Sequence, residues 1–127
     1  MNAEIRPAAI APPAANYALA VLTEAPTRWL HTAGIVPVAA DGSVPDELAE
    51  QARTVWANIA VLLANAGMAA TDIVSVTTYV VAGEQLADVM SARDEFMDGH
   101  RAASTLVTVP ALARPEWRVE VAVIAAA

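Results

Sequence analysis

Glu120 is the only acid inside a strongly apolar, strand-like run near the C-terminus, and a short polar cluster of Arg101, Ser104 and Thr105 introduces the run before it. A carboxylate among apolar neighbours must find hydrogen bonds or a cation, or else take up a proton. Glu120 is therefore a candidate general acid/base or water-positioning group; the alternative is an edge-strand glutamate turned to solvent. Arg101, Ser104 and Thr105 could contact a substrate or simply cap and enter a strand. Arg93 falls near the middle of a helical apolar stripe. Either its stem covers apolar surface while the guanidinium reaches water, or it is a buried charge paired with a carboxylate. Tyr17 and Tyr79 read as packing residues with a hydrogen-bonded tip.

Composition closes several other routes. All seven basic residues are arginines, so Schiff-base chemistry through a lysine is impossible. Cysteine is absent, which excludes disulfides, thiol nucleophiles and thiolate metal sites. A two-histidine metal site would need His31 and His100 to converge, and no metal and no cofactor are expected. Nothing resembles a nucleophile elbow, a phosphate-binding loop or a series of metal ligands. The formal net charge of −7 argues against a nucleic-acid partner, because neutralising phosphates supplies most of that affinity. Apolar residues make up 57% of the chain, yet charges and prolines interrupt every stretch before the roughly 18 residues a membrane span requires. No basic region followed by an apolar core marks a secretory signal, so the cytoplasm is the expected compartment. The apolar surplus suggests a sheet covered on both faces or a buried oligomer interface, the second being favoured.

These candidates need elements to hold them. One domain over 1–127 is expected from the length. Residues 1–15, rich in Ala and Pro, read as an extended arm or edge strand. Short strands follow at Tyr17–Leu22 and Trp29–Ala33, the second closed by Gly34, and an Asp41-Gly42 turn comes next. Ser43 as N-cap, Pro45 in the first turn and the acids Asp46 and Glu47 mark the start of a helix. Its stripe is Leu48, Ala52, Val55, Ile59, Leu62 and Ala66, and Gly67 ends it. A strand at Ile73–Val81, a helix at Glu84–Asp98 and strands at Thr105–Val109 and Trp117–Ala125 complete the chain. In the last strand, alternation puts Trp117, Val119, Val121 and Val123 on one face, with Arg118, Glu120, Ala122 and Ile124 on the other. This order predicts an α+β fold: a mixed sheet with two helices on one face, whose other face, if apolar, needs a partner subunit.

Along essentially its whole length the chain resembles the RidA (YjgF-type) family. The matching pieces are Ala15-Asn16-Tyr17 for the family's Gly-Pro-Tyr, and Ala33-Gly34-Ile35-Val36-Pro37 for its Ser-Gly-Gln-Ile-Pro. Glu50-Gln51, Asn58-Ile59 with Leu63, Ala66-Gly67 and Asp72-Ile73-Val74 follow in order. Last come His100-Arg101-Ala102-Ala103-Ser104-Thr105-x-Val107 and Val119-Glu120-Val121. The resemblance implies a chorismate-mutase-like fold assembled as a homotrimer with small-molecule clefts between subunits. It also implies hydrolysis of reactive enamines and imines to carbonyl compounds and ammonia. The family glutamate matching Glu120 positions water, and the tyrosine matching Tyr17 lines the cleft.

In that family an arginine clamps the substrate carboxylate through a bidentate fork. Aligning Val107-Thr108-Val109 with the family strand puts Ser104 in that arginine's slot; sliding by one residue puts Ala103 there. Ile35 and Ala33 replace the glutamine and serine of Ser-Gly-Gln. Arg101 and Arg93 are the candidate substitutes for the missing cation. Two functions follow: a divergent imine or enamine deaminase with atypical specificity, or a non-catalytic trimer that binds a small molecule or regulates. Ribonuclease activity ranks last, against the acidic charge.

Overall fold

A computed structural model describes all 127 residues. The strands are β1 (Asn2–Ile5), β2 (Ala20–Thr23), β3 (Trp29–His31), β4 (Ile73–Val81), β5 (Ala103–Val109) and β6 (Val119–Ala126). The helices are α1 (Leu48–Asn65) and α2 (Leu86–Met97), with a 3-10 turn at Ala70–Asp72 leading into β4. Three strands, a helix, a strand, a helix and two strands is the order expected from the sequence.

A four-stranded sheet runs β3-β6-β4-β5, and β1 and β2 form a separate antiparallel pair. β6 is antiparallel to both neighbours, whereas β4 and β5 are parallel. A parallel pair needs a long crossover, and α2 supplies it. Both helices lie on one face, as the α+β reading requires. From β6, Val119, Val121 and Val123 point into this helix-covered core, where they join Val76 and Val80 of β4 and Val55, Ile59 and Leu63 of α1. Fully burying side chains of this size contributes about 1.5–3 kcal/mol each. The other face carries Glu120, Ala122 and Ile124, none fully buried. Trp56 of α1 stacks on Phe96 of α2 with ring centroids 4.8 Å apart, joining the two helices.

Helix α1 departs from expectation at its start. It begins at Leu48, and Glu47 is its N-cap, with no side-chain cap. Ser43 does not cap it, because a local turn competes: the Ser43 backbone N–H and hydroxyl both donate to Asp41 Oδ1, at 3.0 and 2.6 Å. The C-terminus falls as expected, with Gly67 at φ 66° beyond the last turn. Arg28 then donates to the carbonyls of Ala66 and Gly67, at 2.5 and 3.3 Å, placing a cation at the negative end of the helix dipole. Leu63, rather than Leu62, completes the buried stripe, since a step of four from Ile59 keeps it against the sheet while Leu62 stays exposed.

Tyr17 lies outside β2, because Ala18 makes an isolated parallel bridge to Ala103 at the edge of β5 instead. β5 begins two residues earlier than expected, because Ala103 and Ser104 already pair with Ser75 and Val76 of β4. Arg118 stands just before β6, bound to Glu84 and to the Asp46 carbonyl.

Gln51 is a buried polar residue that ties these parts together. Its Nε2 donates to the carbonyls of Pro45 and Glu116, both at 2.8 Å, and its Oε1 accepts from the Arg118 N–H at 3.0 Å. Gln51→Leu keeps the volume but strands three backbone groups. Each stranded group costs about 1–3 kcal/mol. Urea unfolding of Gln51→Leu is expected to show a loss of at least about 2 kcal/mol with an unchanged m-value.

Candidate functional site

Three rows of side chains cross the face that the helices leave uncovered, because residues opposite one another in neighbouring strands point the same way. The register pairs Tyr79 with Glu120 on one side and with Val107 on the other. Thr77 lies between Ala122 and Thr105, and Ser75 between Ile124 and Ala103. Glu120 is the only charged residue in these rows.

A backbone irregularity makes room for its carboxylate. His31 pairs with Ile124, but the next full pair is Ile35 with Val121, so Ala33 and Gly34 together oppose Ala122. Two residues against one is a β-bulge. The ladder is patched by Thr32, whose hydroxyl accepts from the Val123 N–H at 3.0 Å and donates to the Ala33 carbonyl at 2.8 Å. Ile35 then closes it with bonds of 2.7 and 3.1 Å to Val121. Glu120 folds over Gly34 so closely that a Cβ at position 34 would lie 2.1 Å from its Oε2.

The structure brings only some of the candidate residues to this carboxylate. Thr105 shares its face. Ser104 pairs with the buried Val76 and so faces the helices, the opposite side of the sheet. Ile35 pairs with Val121 and packs against the core. Arg93 is buried on α2 rather than reaching water: its Nε donates to Asp94 Oδ1 at 3.1 Å. Its Nη2 lies 3.0 Å from the same oxygen but makes no hydrogen bond, the angle being wrong. Arg101 is also committed elsewhere, with Nε and Nη2 against the Glu4 carboxylate at 3.0–3.3 Å and Nη2 donating to the Tyr17 carbonyl at 2.6 Å. Tyr17 is thus tied through its backbone to Arg101.

None of the ion pairs in the chain includes Glu120. His100 does not join it either; its Nε2–H donates to the Ile73 carbonyl at 2.8 Å. His31 is exposed on β3. Sequence reasoning missed Tyr79, Thr77 and Gly34 as neighbours of Glu120. The alternation of Ser75, Thr77 and Tyr79 against Val76 and Val80 hinted that they share a face, but not that Glu120 stands opposite.

The model of one family, described as endoribonuclease L-PSP, matches residues 8–127. The chain belongs to the endoribonuclease L-PSP family. Members of this family are also called YjgF or Rid proteins, and solved structures of that kind share the fold. A Rid-family protein of unknown function from Yersinia pestis is 31% identical, with a TM-score of 0.89 over 99% of this chain and 98% of that one. A YjgF-family protein of Neisseria meningitidis is 28% identical, with a TM-score of 0.70 over 87% of each chain. Escherichia coli TdcF, solved with bound serine, is 24% identical with a TM-score of 0.73 over 95% and 92%, a likeness of fold. Among curated protein sequences nothing matches. No helix is long and apolar enough to cross a membrane.

Two expectations follow. Gly34 does not occupy the left-handed region, so alanine is compatible with its backbone. The three atoms nearest its Cβ would be Oε2, Cδ and Cγ of the flexible Glu120 side chain. Gly34→Ala is expected to leave the melting temperature within a few degrees of wild type while a crystal structure shows the carboxylate rotated away. The second concerns Glu4, whose carboxyl is held below its ordinary pKa by hydrogen bonds first from Arg6 and then from Arg101. A lowered folded-state pKa stabilises above the unfolded value and is lost as pH falls through the folded one. Amide protection factors in β1 and β2, relative to the intrinsic exchange rate at each pH, should fall at acid pH for that reason, and Glu4→Gln should remove this acid dependence.

Proposed function

We propose that this family member is a homotrimeric deaminase that hydrolyses an imine or enamine in an intersubunit cleft at the open sheet face, with Glu120 as the group that handles water. The observation that carries the reading is an ionisable side chain in no ion pair within the chain, held over Gly34 beside Tyr79. An unpaired carboxylate in a partly apolar setting favours a cationic ligand, and a protonated imine is one. The aliphatic and hydroxyl rows of Val107, Thr77 and Thr105 supply shape and neutral hydrogen bonds but no fork for a substrate carboxylate. The preferred substrate is therefore an iminium without a carboxylate beside the reacting carbon.

Chemically, the Glu120 carboxylate accepts a hydrogen bond from water and takes its proton as oxygen bonds to the iminium carbon. It returns this proton to nitrogen, then takes the hydroxyl proton as the carbon–nitrogen bond breaks and passes it to the departing ammonia. One iminium and one water become one carbonyl compound and one ammonium ion. An enamine enters the same route after protonation at carbon. The homotrimer is supported by exposed Trp29 and Val107 on the sheet side that the helices leave bare. A cytoplasmic location agrees with a chain in which no helix can span a bilayer.

A binding or regulatory trimer is the second reading. It is favoured by the commitment of Arg101 to Glu4 and by the placement of Ser104 away from Glu120, which leave the cleft without a clamp. Ribonuclease chemistry is disfavoured by the same face, since a lone carboxylate repels phosphate.

The test generates imines in place with an amine or amino-acid oxidase and measures ammonia release against a semicarbazide trap. Wild type should accelerate hydrolysis of an alkyl imine that lacks a carboxylate more than that of a 2-imino acid. Glu120→Gln should lower this rate about 10²–10⁴-fold, the usual contribution of a general base. Equal rates for wild type and Glu120→Gln, with ligand binding retained, would favour the binding module. Native mass spectrometry checks the trimer, and a monomer at micromolar concentration would sink the cleft.

A further inference from the structure

We propose that a cavity walled by the N-terminal arm, apart from the Glu120 face, binds a small carboxylate with an apolar body. The cavity measures about 370 Å³, within the range of small-molecule sites. Three large apolar side chains, Ile5, Ile10 and Leu19, line it, and all three are exposed despite their size. Prolines at positions 7, 12 and 13 also line it, and their fixed φ gives the wall a preset shape at little entropic cost.

Its polar end is a trio of Glu4, Arg6 and Arg101. Two guanidiniums against one carboxylate leave one positive charge. Arg101 uses Nε and Nη2 on Glu4 and on the Tyr17 carbonyl, and Arg6 uses Nη2 on Glu4. Arg101 Nη1 and the Nε and Nη1 of Arg6 make no hydrogen bond within the chain. These free N–H groups suit a second carboxylate, and Glu4 already shows that the guanidiniums accept that geometry. The apolar walls select a ligand whose other end is hydrocarbon. None of the residues lining this cavity belongs to the rows around Glu120, so its occupant is not the imine of that face.

Octanoate titrated into the full chain tests this, with the methyl resonances of Ile5, Ile10 and Leu19 as reporters and octanol and octylamine as controls of equal length. Octanoate should shift these methyls saturably, and the controls should bind at least about tenfold more weakly. Arg6→Gln, at an exposed side chain whose loss spares the fold, should weaken octanoate binding about threefold to tenfold. Glu4→Gln removes the competing negative charge and should tighten binding. Arg101→Gln should abolish it, and because that change also loosens the hairpin, Arg6→Gln carries the decision. Absence of shifts, equal binding of octanol, or full affinity in Arg6→Gln would overturn the proposal. Imine hydrolysis is read separately, so failure here leaves the Glu120 reading standing.

Discussion

Strand β6 has to serve two environments at once, and the pleat is what allows it. It lies between β3 and β4, with antiparallel partners on both edges, so its backbone polar groups are consumed by the ladder. Its side chains are then divided strictly in two. The valines at 119, 121 and 123 close the core beneath α1, and Glu120 and Ala122 stand on the bare side. Slipping β6 by one residue would bury the glutamate and expose three valines. The hydrophobic loss therefore fixes the register, and the register fixes where the carboxylate stands. Core packing and chemistry are set by one choice.

The consequences spread through the neighbours. With β6 fixed, β4 brings Tyr79 and Thr77 alongside Glu120, and the parallel strand β5 sets Val107 and Thr105 one position further. The crossover helix α2 carries Arg93 into the interior, where its charge has only the adjacent Asp94 as partner. A buried guanidinium with an unsatisfied N–H costs stability that must be recovered elsewhere. Nothing in its surroundings explains why an arginine rather than an apolar residue stands there.

Much of this was legible in the sequence. The order of elements, the two helices, the stop at Gly67 and the two-faced alternation of β6 all follow from local patterns, because each is decided within a few residues. What was not legible depends on pairing between distant segments. Whether Ser104 or Thr105 faces the same way as Glu120 is a matter of strand register, which motif matching along the sequence does not decide. Arg101 pairs with Glu4, 97 residues away, a contact no spacing rule announces. The expected Ser43 cap failed for a local reason: Ser43 turns its N–H and hydroxyl to Asp41, and the helix starts five residues later, at Leu48.

The bulge opposite Ala122 also bears on how the molecule moves. A ladder interrupted at Ala33 and Gly34 leaves a seam between β3 and β6, since neither amide is engaged there and Thr32 holds it with its side chain. The carboxylate rests on that seam. Opening such a seam breaks few bonds, so it costs less than unfolding and does not require the valine layer behind it to open. The carboxylate thus sits on a weak point of the ladder, and the helices need not stir for it to change its aim.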